Sequence, residues 1–230
     1  MFLKNFSFFL LAAFLFSCNS ASKDQAPQDS AAPGNNTAPD TAKPSQKKNI
    51  VFFGNSLTAA YGLDPSEGYV ALIQQRLDSL GLPYKAINAG LSGETTAGGK
   101  ERVAWVIQQP VDIFVLELGG NDALRGIEPS ASYNNLEAII QTVKGKYPDA
   151  KIVLAGMEAP PNMGQKYTSQ FRQVYADLAK KQQVALIPFF LANVGGVPEL
   201  NQADQIHPNK QGQYILRENV WQVLEGLLEK

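Results

Sequence analysis

The sequence predicts an α/β protein: a five-stranded parallel sheet with helices packed on both of its faces. Two observations carry this. Five short runs of apolar, mostly β-branched or aromatic residues recur along the chain, and near-continuous apolar runs of this kind suit strands buried on both faces. Stretches whose apolar residues fall at helical spacing separate several of them, and strand–helix alternation indicates a parallel sheet.

In chain order, the first run is Ile50-Val51-Phe52-Phe53, closed by Gly54. Val70, Leu72, Ile73 and Leu77 then form an apolar stripe that ends at Gly81, a common helix stop. Ala86-Ile87 is a weak run, supported by the Asn88-Ala89-Gly90 that follows it. The segment Thr95–Arg102 reads as the opening of a helix, although Gly98 and Gly99 lie within it. Ile113-Phe114-Val115-Leu116 is the third strand, and Leu136, Ile139, Ile140 and Val143 form the next helical stripe, before Tyr147-Pro148. Ile152-Val153-Leu154-Ala155 is the fourth strand, followed by a stripe of Phe171, Val174, Tyr175, Leu178 and Ala179. Val184-Ala185-Leu186-Ile187 is the fifth, and Ile215, Val220, Val223, Leu224 and Leu227 mark the last helix.

Composition narrows the chemistry. The 230 residues carry 20 basic and 21 acidic side chains, one Cys and one His. A single Cys excludes a disulfide framework or a Cys cluster, and a single His excludes sites built on several imidazoles. With a net charge of -1 there is no cation excess to displace counterions from a phosphate backbone, so nucleic acid is not an expected partner.

Residues 1–17 read as an export signal: Lys4 precedes the apolar run Phe6–Phe16, and Ser17 ends it. Six of the 12 Phe fall in the first 16 residues, so the folding domain is less aromatic than the total suggests. Leu15-Phe16-Ser17-Cys18 resembles a bacterial lipoprotein signal, in which cleavage precedes the Cys and that Cys is lipidated. On this reading the mature chain begins at Cys18 and is held at a membrane by its lipid. A plain secretory signal followed by a reactive thiol is the other reading. Residues 18–48 are expected to be a tether. Asn19–Lys48 holds four Pro, six Ala and no Leu, Ile, Val, Met or aromatic residue, too little apolar surface to offset the entropy of ordering. Residues 49–230 form one domain. The expected location is the bacterial cell envelope, lipid-anchored and facing the periplasm or the cell exterior.

The polar motifs fall just after strands, along the edge where open α/β sheets place ligands. Gly54-Asn55-Ser56-Leu57-Thr58 follows the first strand. Ser56 there could attack a ligand or could simply cap a helix. Asn88-Ala89-Gly90-Leu91-Ser92-Gly93-Glu94-Thr95 follows the second, where Ser92 or Thr95 could cap. Glu117-Leu118-Gly119-Gly120-Asn121-Asp122 follows the third, with Asn121 able to aim an amide into the cleft or to form a Gly-Asn turn. Near the carboxyl end, Asp204-Gln205-Ile206-His207-Pro208 sets a carboxylate three residues before the lone imidazole. In a tight turn Asp204 can hold one ring nitrogen while the other faces outward, and Pro208 is expected at the first position of the last helix.

In order and spacing, these four blocks resemble those of the SGNH (GDSL-type) hydrolases, over nearly all of residues 49–228. Glu117-Leu118-Gly119-Gly120-Asn121-Asp122-Ala123-Leu124-Arg125-Gly126, Pro160-Pro161-Asn162 and Pro188-Phe189-Phe190 look most like the branch of bacterial thioesterase I/lysophospholipase L1 and arylesterases. The resemblance implies a three-layer flavodoxin-like fold with strand order 2-1-3-4-5. It implies Ser56 as nucleophile, His207 as general base and Asp204 as the residue orienting it. The Ser56 N–H, the Gly93 N–H and the Asn121 amide match oxyanion donors. No metal or organic cofactor is implied. One departure stands out, since the family usually has Asp where this chain has Asn55.

The expected activity is hydrolysis of carboxylic esters or thioesters through an acyl-enzyme. Leu124, Ile127 and Pro129, with Met157, Pro160 and the rest of the loop to Tyr167, are candidates for an acyl groove. Such a groove would suit medium or long acyl chains, including lysophospholipid at the membrane. A carbohydrate O-acetyl esterase and a non-catalytic, ligand-binding envelope lipoprotein are the alternative readings.

Overall fold

The computed structural model describes residues 47–229. The expected signal over 1–17, Cys18 and all but the last residues of the tether lie outside them. The described residues form a five-stranded sheet in the order β2-β1-β3-β4-β5, and all neighbouring pairs are parallel. The strands are β1 (Lys48–Gly54), β2 (Tyr84–Gly90), β3 (Ile113–Glu117), β4 (Lys151–Ala155) and β5 (Ala185–Ile187). Helices α1 (Tyr69–Ser79), α2 (Thr96–Val106), α4 (Pro129–Lys146), α5 (Gln165–Gln182) and α6 (Lys210–Leu224) connect and follow them, with a short α3 (Gly120–Leu124) after β3. α1 packs with α6, while α2, α4 and α5 pack side by side.

Burial explains which runs were legible. β3 is buried at every position and β1 from Ile50 onward, because both lie inside the sheet. β2 is an edge strand, buried only at Tyr84 and exposed or half-buried elsewhere, so only part of it needs apolar residues. At the other edge, β5 is one residue shorter than its apolar run. Val184 N–H donates to the Ala179 carbonyl, which spends that residue on closing α5.

The two glycines of α2 have different circumstances. A Cβ on Gly99 would lie 2.3 Å from Leu118 Cδ1 and 3.1 Å from Phe53 Cε1, so α2 can approach the sheet this closely only without a side chain there. At Gly98 the nearest atom, on Glu94, would be 3.4 Å away, and no such need exists. Thr95 starts the helix by accepting from Gly98 N–H.

The last helix starts differently from expectation. Asn209 is its N-cap, accepting from the Gln211 and Gly212 N–H groups. Pro208 therefore precedes the cap and is not the first helical residue. It is instead bridged to Asn201, and Asn is among the strongest capping residues.

The sheet order reverses at β1, which pairs with β2 on one side and β3 on the other. Loops leaving such a reversal diverge and open a crevice at the carboxyl edge.

Candidate active site

Ser56 follows β1 in a turn closed by Ala59 N–H to the Asn55 carbonyl and Tyr61 N–H to the Ser56 carbonyl. The turn does not begin a helix, so the capping alternative for Ser56 does not apply. Asp64 caps the next helical turn instead. Asn55 is buried, its Oδ1 accepting from Leu57 N–H at 2.9 Å.

The carboxyl-terminal loop comes back to this turn. Gln202 N–H donates to the His207 carbonyl at 2.7 Å, and Asn209 N–H to the Leu200 carbonyl at 2.9 Å, which pinches residues 200–209 into a narrow loop. At its tip Asp204 Oδ1 accepts from the N–H groups of Ile206 (2.9 Å) and His207 (3.0 Å), and Oδ2 lies 2.6 Å from His207 Nδ1. The His207 N–H, followed by its ring and the Ile206 N–H, holds the Asp204 carboxyl down to about 2. An ionised carboxylate only accepts, so Nδ1 carries the proton and Nε2 is left as an acceptor. Ser56 Oγ is 2.9 Å from that Nε2. Tyr61 covers the imidazole, with ring centroids 4.6 Å apart. Gln202 Nε2 donates to the Tyr61 carbonyl at 2.7 Å, stitching the two loops together.

Three polar groups follow β1, β2 and β3 on the carboxyl edge of the sheet: the Ser56 N–H, the Gly93 N–H and the Asn121 amide. Among the described residues neither Ser56 N–H nor Gly93 N–H has an intramolecular acceptor. Gly93 has φ +80, a left-handed conformation that glycine adopts without strain. Its carbonyl accepts from Arg125 Nη2 at 3.1 Å. Asn121, in the first turn of α3, donates one amide hydrogen to the Glu94 carbonyl at 3.0 Å, which leaves the other hydrogen available. Glu94 is fixed in turn by a bidentate pair with Arg102, at 2.6 and 2.5 Å. Asp122 accepts from the Thr96 N–H and hydroxyl and from Ser132, tying α2 to α3 and α4 behind these groups.

A cleft of about 690 Å³ opens at Ser56 and His207. Of the groove candidates, Leu124, Met157 and Pro160 line it, whereas Ile127 and Pro129 do not; Asn121 also lines it. The Ile127 carbonyl is held by the Tyr167 hydroxyl at 2.7 Å, and Pro129 is buried as the first residue of α4. Gly93 does not line this cleft; it borders a separate depression together with Leu91 and Thr95. The cleft is also lined by Phe189, Leu191, Gly195, Gly196 and Ile206, which the sequence does not single out. Pro188-Phe189-Phe190 is the only signal for this lining. Phe190 is fully buried while Phe189 faces the cleft, a division set by the turn after β5.

Among the described residues, no three or more His, Cys, Asp or Glu side chains are grouped to hold a metal ion. No described helix is long and apolar enough to cross a membrane.

An imidazole between a hydroxyl and a carboxylate, beside free N–H donors at a sheet reversal, defines a serine hydrolase of α/β architecture. Residues 52–215 match the GDSL-like lipase/acylhydrolase family, and the chain belongs to that family. It is 44% identical over 182 residues to esterase TesA of Pseudomonas aeruginosa, covering 79% of this chain and 90% of that protein. It is 34% identical to thioesterase 1/protease 1/lysophospholipase L1 of Escherichia coli K12, covering 78% of this chain and 84% of that one. A crystal structure of TesA superposes with a TM-score of 0.74 at 44% identity, over 79% of this chain and all of that one. The chain is thus a serine hydrolase of carboxylic esters that works through an acyl-enzyme.

Proposed function

We propose that Ser56 is the nucleophile, His207 the general base and Asp204 the group that orients it. Ser56 N–H, Gly93 N–H and the Asn121 amide are the oxyanion donors in this reading. The observation that carries it is the unbroken chain from Ser56 Oγ through the imidazole to Asp204, at 2.9 and 2.6 Å. Oγ bonds to the ester carbonyl carbon as Nε2 takes its proton, and Asp204 supports the imidazolium that forms. The carbonyl oxygen becomes an oxyanion that the donors hold more tightly than the ground-state carbonyl. When the carbon–oxygen bond breaks, the imidazolium returns its proton to the leaving alcohol. Water, deprotonated by the same nitrogen, then releases the acid and restores the Ser56 hydroxyl.

The favoured substrates are esters or thioesters of medium and long acyl chains, lysophospholipid among them. A cleft lined by Leu124, Met157, Pro160, Phe189 and Leu191 supports this, because a small acyl group would leave most of it empty. Lipidation at Cys18 would hold the domain beside such substrates in the cell envelope, at the periplasmic or outer face.

A nitrophenyl ester series of rising chain length, assayed beside an acetylated glycan, tests the substrate class. The expected result is a kcat/KM optimum at six carbons or longer, roughly the reach of the cleft. A sharp preference for acetate on sugar overturns the acyl-chain reading. Ser56→Ala should fold and show no turnover, and wild-type turnover in it would overturn the nucleophile assignment.

A further inference from the structure

Glu117, the last residue of β3, is completely buried, and among the described residues its carboxyl is partnered by Asn55 and Thr58 and by no cation. Its carboxyl lies under the turn that carries Ser56. Oε1 accepts from Asn55 Nδ2 at 2.8 Å. Oε2 accepts from Asn55 N–H at 3.2 Å and from the Thr58 hydroxyl at 2.8 Å. Thr58 Oγ1 is also 2.9 Å from the Tyr69 hydroxyl on α1. A Cβ on Gly54 would stand 2.6 Å from Oε2, so this approach depends on a glycine at the end of β1.

The orientation of Asn55 is fixed by its surroundings. Leu57 N–H can only donate, so Oδ1 faces it and Nδ2 must face Glu117. Asn55 therefore brackets Ser56. Its backbone N–H is held on one side, the amide of residue 57 on the other, and the Ser56 N–H between them is left free. Oδ1 is also 3.4 Å from Ser56 Oγ.

We propose that Glu117, acting through Asn55, is a positioning residue that sets the direction of the Ser56 N–H and hydroxyl. We further propose that the amide at position 55 keeps the pair intact in either protonation state of the carboxyl. The inference rests on the assignment of Ser56 above. As a carboxylate, Glu117 accepts from all three donors. As an acid it can donate to Thr58, whose hydroxyl then turns to Tyr69, while Asn55 Nδ2 still donates to Oε1. A carboxyl at position 55 would differ. Two carboxyls at hydrogen-bond distance cannot both ionise without repulsion, so such a pair must share a proton. The titratable groups facing Glu117 are Tyr69 of α1 and Tyr175 of α5, both kept neutral by burial; His207 reaches it only through Ser56.

The test compares wild type, Glu117→Gln, Asn55→Asp and the double variant. The readouts are kcat and KM for a nitrophenyl ester from about pH 6 to 9 and the labelling rate by a fluorophosphonate, which reports the nucleophile alone. In Glu117→Gln the side-chain oxygen can still accept from Asn55 Nδ2, but the NH2 then stands in place of Oε2 against the Asn55 N–H, and turning the amide over only moves the clash to Nδ2. The kcat and labelling rate of this variant should fall about tenfold with KM unchanged, the signature of a contact needed in the transition state. Asn55→Asp should stay within about threefold of wild type near pH 6 and lose about tenfold by pH 9, where the shared proton leaves. In the double variant the exchanged amide and acid match again, so kcat should return to within about threefold and the alkaline loss should disappear. Singles that keep wild-type kcat across the range, or a double no better than Glu117→Gln, overturn the proposal. If Glu117→Gln does not fold, Thr58→Val removes one donor and should lower kcat at constant KM; a wild-type value overturns the proposal in that case. Ser56→Ala runs beside them: turnover in that variant sinks the nucleophile assignment, whereas its inactivity with wild-type singles sinks only this inference.

Discussion

His207 Nε2 lies 2.9 Å from Ser56 Oγ across 151 residues of sequence. No local preference brings them together. The contact exists because β1 lies inside the sheet, at its order reversal, and because residues 200–209 fold back over its carboxyl end. Gln202 and Tyr61 join the two loops there.

Asp204→Asn should leave the fold intact and lower kcat by about 10⁴, because an amide cannot hold Nδ1–H in the same way and the ring loses its working tautomer. Steady-state kinetics beside a thermal melt check this. A loss below tenfold would show that Asp204 does not orient the base.

Asn121→Ala should lower kcat by about 10²–10³ with little change in KM, the usual cost of one oxyanion donor. The Glu94 carbonyl also loses its partner in this variant, so a modest fall in Tm should accompany it. A change confined to KM would place Asn121 in substrate binding instead.

Tyr61→Phe should retain activity, since the ring that covers His207 remains. Gln202→Ala should lose about tenfold in kcat and about 1 kcal/mol of stability, as expected for a lost hydrogen bond between loops. Equal stability loss in both variants with no kcat difference would make the contact structural only.

Stability should depend on pH through two carboxyls with opposite signs. Burial pushes Glu117 up to about 8, above its unfolded value of 4.5. Its contribution is fully present below 4.5, falls as pH rises, and is lost by about 8. Asp204, held down to about 2 from 3.8, contributes above 3.8 and loses its share as pH falls towards 2. Thermal melts of wild type and Glu117→Gln between about pH 4.5 and 8.5 separate the two. The downward slope in this range should flatten in the variant, and an unchanged slope would exclude Glu117 as its source.

Gly99→Ala should destabilise by about 1–3 kcal/mol, the cost of overpacking a tight contact, whereas Gly98→Ala should be neutral or stabilising because the position is helical and open. Urea unfolding of both variants measures the difference. Equal effects would mean that α2 can move away from Leu118 without cost.

The strands were legible in proportion to their burial. β1, β3 and β4 are apolar because helices cover both faces, while the edge strand β2 gave only Ala86-Ile87 and β5 was overextended by Val184. α3 has no helical signature in the sequence because five residues starting after a left-handed Gly119 carry no periodicity. Ser56, Gly93 and Asn121 are legible because each closely follows a strand, whereas Asp204 and His207 lie well beyond β5 and are legible from their spacing and from His207 being the lone imidazole. The lining at Phe189 and Leu191 is not, since a turn decides which of two adjacent aromatics faces the cleft. Ile127 and Pro129 were placed in a groove by proximity to Asn121, but the turn at Gly126 and the start of α4 carry them away from it.

The sequence alone determined the parallel sheet, the edge that carries the polar loops and the residue types available there, because periodicity and strand-end position are local properties of a chain. The tertiary structure decided which of those residues touch. Contacts such as Ser56 with His207, Asn55 with Glu117 and Asn121 with Glu94 join segments far apart in the chain, and they depend on how sheet order and loop closure arrange those segments in space.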